Sequence, residues 1–281
     1  MSTAVVTGAG GAIGWRIVEA LFARGLDVIA VDCIYGKLEN LPPGLANKLR
    51  FELTRLDDQD DVDCLFSSLP PDVTQWVLAA GSMDPRQPGQ KLAKHVMNNM
   101  QGNLMPAVTM LDGISDYYST GKGRDHQTNP LVVVISSVDA KYVLAGQHAP
   151  GPGYRVAKEA LNALGEAMGG GWLGPLDPRL AILLPGSVLD PKNKRLNNDR
   201  WLVRGIFDDP DALRRLTDPL VGQRALTPME FAEIVCTYLG SLALMEANHG
   251  RTIVLDRGLS LYPGLPPAGQ RSIFAGKASG S

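Results

Sequence analysis

The residue types best suited to chemistry are a tyrosine and a lysine four positions apart, Tyr154 and Lys158. They follow the helix-breaking segment 150–153 and begin a helix-forming stretch that runs to Met168, so both side chains are expected on one helix face. A free phenol has a pKa of about 10, which is too high for proton transfer near neutral pH. An ammonium group one turn away stabilises the phenolate and lowers that pKa. The pair is therefore a candidate acid–base centre, although the same spacing is common on ordinary surface helices.

A glycine-rich turn stands between the first apolar strand, Thr3–Thr7, and a helical pattern that ends at Gly25. A second apolar strand follows and closes with Asp32. In such a unit, glycines let the backbone approach a pyrophosphate that sits on the positive N-terminus of the helix. An acid after the second strand accepts the adenosine ribose hydroxyls and repels a 2′-phosphate. The unit predicts a dinucleotide site that favours NAD over NADP; the alternative is that the glycines only permit a turn.

Strands and helices continue to alternate along the chain. Strand patterns occupy 49–53, 75–81, 131–135, 180–184 and 250–258, and helix patterns occupy 57–69, 91–118, 153–168 and a segment opened by Thr227. Gly102 and Pro106 interrupt the helix pattern at 91–118, where a kink is expected. The alternation predicts a single α/β domain over 1–281, with a doubly wound, mostly parallel sheet and helices on both faces. Ligands of such sheets bind beyond the carboxyl ends of the strands. The features expected at that edge are Gly8, Asp32, Gly81, Ser137 and the Tyr154 helix.

In their order along the chain, these motifs resemble those of the short-chain dehydrogenase/reductase family, most closely its classical branch. The resemblance extends over nearly the whole chain and implies a Rossmann fold. It also implies an NAD(H)-dependent oxidoreductase that interconverts a secondary alcohol and a ketone on a small organic substrate, assembled as a homodimer or homotetramer. The residues that carry it are Thr7–Gly14, Asp32, Ala79–Gly81, Asn103, Ser136–Ser137, Tyr154 with Lys158, Pro185–Gly186 and the strand 250–258.

The resemblance implies roles for individual residues. Tyr154 would be the general acid–base group, and Lys158 would tune its pKa and contact the nicotinamide ribose. Ser137 would hydrogen-bond the substrate oxygen, and Asn103 would hold a water that links Lys158 to solvent. No residue is expected to bind a metal. The residues expected to hold the cofactor are Gly8, Gly11, Ala12, Ile13, Gly14, Asp32, Cys33, Glu52, Leu53, Ala79, Ala80, Gly81, Tyr154, Lys158, Pro185, Gly186 and Val188.

The glycine turn departs from the classical pattern, because Ala12 replaces its second glycine. The spacing of Gly8, Gly11 and Gly14 instead matches the extended branch of the family. This spacing favours, as an alternative function, an epimerase, dehydratase or lyase that uses bound NAD. A second alternative is an NAD-binding scaffold without catalysis.

Other departures concern the surroundings of the Tyr–Lys pair. Asn99 is an alternative to Asn103 as the helix asparagine, although the distance from Gly81 favours Asn103. The segment before Tyr154 is longer than is common in the family, and it carries Asp139, Lys141 and His148 at the mouth of the site. Whether these three take part in catalysis stays open. Residues 187–227 lack clean periodicity and contain a basic cluster, and we expect them to form a lid over the substrate.

Composition gives no reason to expect other classes of partner. The net charge of −2 and the pI near 6.1 do not favour nucleic acid or an anionic membrane surface. No apolar run approaches the length of a membrane span. The cysteines Cys33, Cys64 and Cys236 are far apart, so neither a zinc site nor a disulfide is expected. We therefore expect a cytoplasmic protein whose partner is a small molecule.

Overall fold

The computed structural model describes residues 2–34, 36, 49–82, 84, 87–123, 130–141, 151–170, 178–189 and 225–256. Within them, the strands are β1 Thr3–Thr7, β2 Asp27–Asp32, β3 Leu49–Leu53, β4 Val73–Leu78, β5 Leu131–Ile135, β6 Arg179–Pro185 and β7 Arg251–Leu255. They form one sheet in the order β3-β2-β1-β4-β5-β6-β7, and every neighbouring pair is parallel. Strand order reverses between β1 and β4, which is the point where such sheets bind ligands.

Helices cover both faces of this sheet. They are α1 Ala12–Ala23, α2 Gln59–Ser68, α3 Leu92–Asn103, α4 Met105–Ser119, α5 Gly151–Met168, α6 Pro228–Leu239 and α7 Leu242–Ala247. The core on one face is built from α1, α6 and α7, and the core on the other from α2, α4 and α5. α3 packs against α5 and α4. None of the helices in the described part of the chain is long and apolar enough to cross a membrane.

The sheet is apolar on both faces because each central strand sends alternate residues to each side. In β1, Ala4 and Val6 pack with α1 and α6, whereas Val5 packs with the opposite helices. Burial on both faces explains why β1 and β5 read as continuous apolar runs rather than alternating ones. The fold class predicted from the sequence is confirmed.

Several element boundaries differ from the sequence expectation by one to three residues, and two of the differences have a structural cause. β4 ends at Leu78 instead of continuing to Gly81, because the hydroxyl of Thr7 accepts the N–H groups of Ala79 and Ala80, both at 3.1 Å. The helix pattern over 91–118 forms two helices that meet at Leu104. Pro106 lies in the first turn of α4, where a missing N–H removes no helical hydrogen bond.

The expected lid, 187–227, is described only at its two ends. Val188 and Leu226 form an isolated parallel bridge there. The remainder of that segment, His148 and residues 257–258 lie outside the described residues.

Candidate active site

Close backbone approaches hold the turn between β1 and α1. Gly8 has φ +68°, and a Cβ atom there would lie 2.7 Å from the carbonyl oxygen of Ala79. A Cβ at Gly14 would lie 2.1 Å from the carbonyl oxygen of Gly8. Both positions therefore require glycine. Gly11 is the N-cap residue and has no side chain to cap α1, so the N–H groups of the first turn (12–14) can bind an anionic ligand.

Asp32 stands at the end of β2 beside this turn. Its carboxylate accepts hydrogen bonds from the backbone N–H of Gly10 at 2.9 Å and from that of Ile34 at 3.2 Å. The side chain thus ties the glycine turn to the end of β2. Because a carboxylate has about four acceptor sites, it keeps the capacity to accept ribose hydroxyls. The turn and Asp32 together fit a dinucleotide.

The residues at the ends of β2 and β3 that were expected to hold the cofactor differ in exposure and in side-chain partners. Cys33 is exposed, and Leu53 is 57% exposed at the end of β3. The carboxylate of Glu52 lies 2.5 Å from Nε of Arg50, on the same side of the strand. Arg50 also donates to the carbonyl oxygen of Ser68 at 2.9 Å. The structure therefore engages Glu52 in a local ion pair beside α2.

The backbone at Gly81 brings two site residues together. A Cβ atom on Gly81 would lie 2.9 Å from Oδ1 of Asn103 and 3.2 Å from Nζ of Lys158. The amide oxygen and the ammonium group thus lie on the same side of the chain that leaves β4, where a side chain at position 81 would be. The structure places Asn103, the asparagine favoured by the sequence, next to Gly81 together with Lys158, whereas Asn99 lies next to Gly153.

Ser137, Asp139 and Tyr154 form a cluster beyond β5. Ser137 is buried and caps the 3₁₀ turn Val138–Ala140. Its hydroxyl accepts the N–H of Asp139 at 3.2 Å and donates to Oδ2 of Asp139 at 3.3 Å. Ser137 also lies beside the phenol of Tyr154, whose pKa its hydroxyl lowers against the effect of burial. Burial raises the pKa of Asp139 to about 6, against the opposing effects of the Ser137 hydrogen bond and the charge of Arg155.

The electrostatics of the Tyr–Lys pair differ from the sequence expectation. Nζ of Lys158 lies 5.7 Å from the ring centroid of Tyr154 and donates to the carbonyl oxygen of Ile135 at 3.2 Å. Burial, followed by the charge of Asp139, raises the pKa of Tyr154 rather than lowering it. Burial also lowers the pKa of Lys158 to about 8. The phenol is therefore in its proton-donating form at neutral pH.

A column of buried polar side chains extends along α3 from Asn103. His95, Asn99 and Asn103 are spaced one helical turn apart, and none is more than 1% exposed. The side-chain amide of each asparagine donates to the carbonyl oxygen four residues earlier, at 3.0 Å for Asn99 and 3.1 Å for Asn103. α5 approaches this face through glycines, since a Cβ at Gly153 would lie 2.9 Å from Nδ2 of Asn99. Sequence reasoning missed His95, although its spacing from Asn99 and Asn103 was a visible signal.

The end of β6 closes the site opposite the glycine turn. Gly186 donates its N–H to the carbonyl oxygen of Leu255 at 3.0 Å, and a Cβ there would lie 2.9 Å from Cα of Asp256. Pro185 is buried and Val188 half-buried beside it. Lys141 does not join this group of residues, because its ammonium donates to Thr252 on β7 at 2.9 Å. No cluster of three or more metal-ligating side chains occurs among the described residues.

Comparisons with known proteins agree with this arrangement. Residues 4–118 match the family described as the NAD dependent epimerase/dehydratase family. A short-chain type dehydrogenase/reductase from Mycobacterium ulcerans is 20% identical, with 94% of this chain and 92% of that chain covered and a TM-score of 0.73. The NADPH-dependent 3-quinuclidinone reductase from Rhodotorula rubra is 18% identical, with 92% and 91% covered and a TM-score of 0.72.

A third similar structure is the 3-ketoacyl-(acyl-carrier-protein) reductase from Brucella melitensis complexed with NADH. It is 17% identical, with 92% of this chain and 98% of that chain covered and a TM-score of 0.67. No curated protein is significantly similar in sequence. The chain has the Rossmann fold of these short-chain dehydrogenase/reductase structures, and the resemblance predicted from its motifs is confirmed in the fold.

Proposed function

We propose that the protein is an NAD-dependent oxidoreductase that interconverts a secondary alcohol and a ketone on a small organic substrate. The observation that carries the proposal is the convergence of Ser137, Tyr154 and Lys158 at the sheet edge where the glycine turn lies. A phenol, a hydroxyl and an ammonium group in one buried cluster can stabilise the negative charge that develops on a substrate oxygen.

The cofactor would be held by backbone groups from several strand ends. The first-turn N–H groups of α1 would bind the pyrophosphate, and Asp32 would accept the adenosine ribose hydroxyls. Lys158, whose Nζ lies beside Gly81, would contact the nicotinamide ribose. When bound, the nicotinamide would supply a hydride in one direction and accept it in the other.

The protein's own part in the reaction is proton exchange at the substrate oxygen. In reduction, the phenol of Tyr154 donates its proton to the ketone oxygen, and in oxidation the phenolate takes it back. Ser137 orients that oxygen by hydrogen bonding. The buried ammonium of Lys158 stabilises the phenolate that forms. Asn103 lies next to the same glycine, Gly81, where it can hold a water that returns the proton.

NAD is preferred over NADP in this proposal because of Asp32. Its carboxylate lies within hydrogen-bond distance of the glycine turn, so a 2′-phosphate on the adenosine ribose would meet a like charge. The similar structures from Brucella melitensis and Rhodotorula rubra are described with NADH and as NADPH-dependent, respectively. The preference therefore rests on this chain's own residues.

Consumption of NADH with a panel of ketones, followed by absorbance, tests the proposal. The wild-type protein is expected to reduce members of the panel and to prefer NADH over NADPH. Tyr154→Phe should lose this activity. Tyr238→Phe is its matched control and should keep the activity, because it removes a phenol hydroxyl from α6, in the helix layer on the other face of the sheet. The proposal would be contradicted if the protein bound NADH but reduced none of the ketones, and oxidised no alcohol with NAD⁺ in the reverse assay.

A second candidate function is an epimerase or dehydratase that keeps its NAD bound. The match of residues 4–118 to the epimerase/dehydratase family and the spacing of Gly8, Gly11 and Gly14 favour it. Such an enzyme regenerates its cofactor within each turnover. Net accumulation of NADH with an alcohol substrate would therefore exclude it, and substrate isomerisation without net NADH would support it. NAD binding without either reaction would instead support a scaffold.

We also propose that the protein assembles as a homodimer or homotetramer and acts in the cytoplasm. Large apolar side chains are exposed on α3 and α5: Leu92 is 50%, Met97 64% and Val156 46% exposed. Such residues are common at interfaces between subunits. Light scattering at micromolar concentration tests the assembly, and a monomeric mass would contradict it.

A further inference from the structure

Asp139 is the feature of the site that the proposed reaction does not use. Its Oδ2 lies 3.3 Å from the hydroxyl of Ser137, and its charge acts on the phenol of Tyr154. The carboxyl is thus part of the cluster that would meet the reacting oxygen of a substrate. Proton exchange at that oxygen needs only Ser137, Tyr154 and Lys158, so the carboxyl calls for a separate explanation.

One oxygen of this carboxyl lacks a partner. Oδ1 of Asp139 is buried and makes no hydrogen bond among the residues that the structure describes. A buried acceptor left without a donor is unfavourable by a margin comparable to a lost hydrogen bond. A ligand that brings a donor to Oδ1 would remove this penalty.

The charged groups around Asp139 favour a neutral donor over a cationic one. Arg155 on α5 already places a positive charge near the carboxyl, and the ammonium of Lys158 is buried on the same helix. Tyr154 on α5 is protonated at neutral pH. Lys141, on the same segment as Asp139, is occupied with Thr252. A substrate ammonium group would be repelled by the positive charges of Arg155 and Lys158, whereas a neutral hydroxyl would not be repelled.

We propose that Asp139 recognises a second hydroxyl on the carbon next to the reacting carbon. The substrates are then α-hydroxy ketones, and the corresponding alcohols are vicinal diols. Ser137 and Tyr154 hold the reacting oxygen, and the neighbouring carboxyl oxygen accepts the adjacent hydroxyl. The two oxygens of an α-hydroxy ketone are on adjacent carbon atoms. This short spacing suits recognition by Ser137 and Asp139, whose side chains are hydrogen-bonded neighbours. This inference rests on the proposed oxidoreductase function and adds its substrate class.

Matched ketone pairs that differ only in the adjacent hydroxyl test the proposal. The pairs are hydroxyacetone with acetone and acetoin with butanone, measured as kcat/KM with NADH. A hydrogen bond to a charged group corresponds to a preference of roughly 10- to 100-fold for the hydroxylated member in the wild type. In Asp139→Ala this ratio should fall to about one, because the unhydroxylated member never used the carboxyl.

The ratio isolates recognition from damage to the catalytic cluster, since a displaced Ser137 would slow both members equally. Asp139→Asn keeps the side-chain shape and serves if Asp139→Ala does not fold; it should lower the ratio in part. Lys141→Met, two residues away, should leave the ratio unchanged. A wild-type ratio near one, a ratio that survives in both Asp139 variants, or a preference for aminoacetone over hydroxyacetone would overturn the proposal while leaving the oxidoreductase function intact. If no ketone at all is reduced, the proposed function fails, and this inference fails with it.

Discussion

Two aspartates occupy equivalent places in the sheet and have opposite surroundings. Asp32 is the last residue of β2 and Asp139 lies in the turn after β5, so both are at the carboxyl edge. Asp32 accepts two backbone N–H groups and remains partly exposed, whereas Asp139 has one buried oxygen without a partner in the described part of the chain. The pKa of Asp139 is raised to about 6 by burial. The carboxyl edge of the sheet thus has two halves. The charge-holding half lies around Asp32, and the proton-exchanging half lies around Asp139, Tyr154 and Lys158.

The largest predicted effect comes from removing charge in the proton-exchanging half. Lys158→Met takes away the only cation that neighbours both Asn103 and the Tyr154 ring among the described residues. The phenolate then loses its stabilisation, and kcat/KM for ketone reduction should fall by about 10²- to 10⁴-fold, the typical range for general acid–base catalysis. Steady-state kinetics at saturating NADH checks this.

The matched control is Lys94→Met, an exposed lysine on α3. It should retain wild-type kinetics. A Lys158→Met variant with wild-type turnover would show that the ammonium has no part in the reaction.

A smaller effect is expected from neutralising the charge-holding half. Asp32→Asn keeps an oxygen that can accept the N–H of Gly10, but it removes the negative charge that opposes a 2′-phosphate. The ratio of kcat/KM for NADH to that for NADPH should fall about tenfold, which corresponds to roughly 1.4 kcal/mol. Asp32→Ala, which also releases Gly10, should weaken the binding of both cofactors. An unchanged ratio in Asp32→Asn would mean that the cofactor preference is set elsewhere.

The smallest effect concerns stability and follows from the pKa of Asp139. The folded pKa of about 6 lies above the ordinary value of 3.8, so folding favours the protonated carboxyl. Stability therefore falls as pH rises from about 4 to about 6, and the full penalty is present above that window. Asp139→Asn cannot ionise, so it should be more stable than wild type by about 1–3 kcal/mol near pH 8, with the difference narrowing towards about pH 5.

Urea unfolding at the two pH values measures this difference. Asp116→Asn, at an exposed position on α4, is the control and should show no comparable dependence. Equal stability of wild type and Asp139→Asn near neutral pH would show that the carboxyl is well solvated.

The sequence predicted the sheet, and strand order alone brings the distant motifs of the candidate site to one edge. Ser137, Tyr154 and Lys158 follow β5 in the chain, and the glycine turn follows β1, so a parallel sheet must bring them to the same side. The placement of Asn103 next to Gly81 was also predictable, since it depends on the distance from Gly81 along the chain. Periodicity and motif spacing are sufficient for such inferences.

What could not be predicted depends on burial in three dimensions. The pKa of Tyr154 is raised because burial and the charge of Asp139 outweigh any effect of Lys158, whose Nζ donates to Ile135. The pairing of Glu52 with Arg50 likewise arises from side-chain geometry on one face of β3. His95 and Asn99 look like part of a polar surface stripe until the glycines of α5 are packed against them.

The most direct test of the account is to separate cofactor binding from hydride transfer in Tyr154→Phe. Fluorescence titration gives the NADH dissociation constant, and a single-turnover measurement with a ketone gives the transfer rate. The account predicts a dissociation constant within about threefold of wild type and a rate lower by at least about 100-fold, because the ring remains and only the proton donor is lost. A variant that transfers hydride at the wild-type rate would contradict the central role of Tyr154.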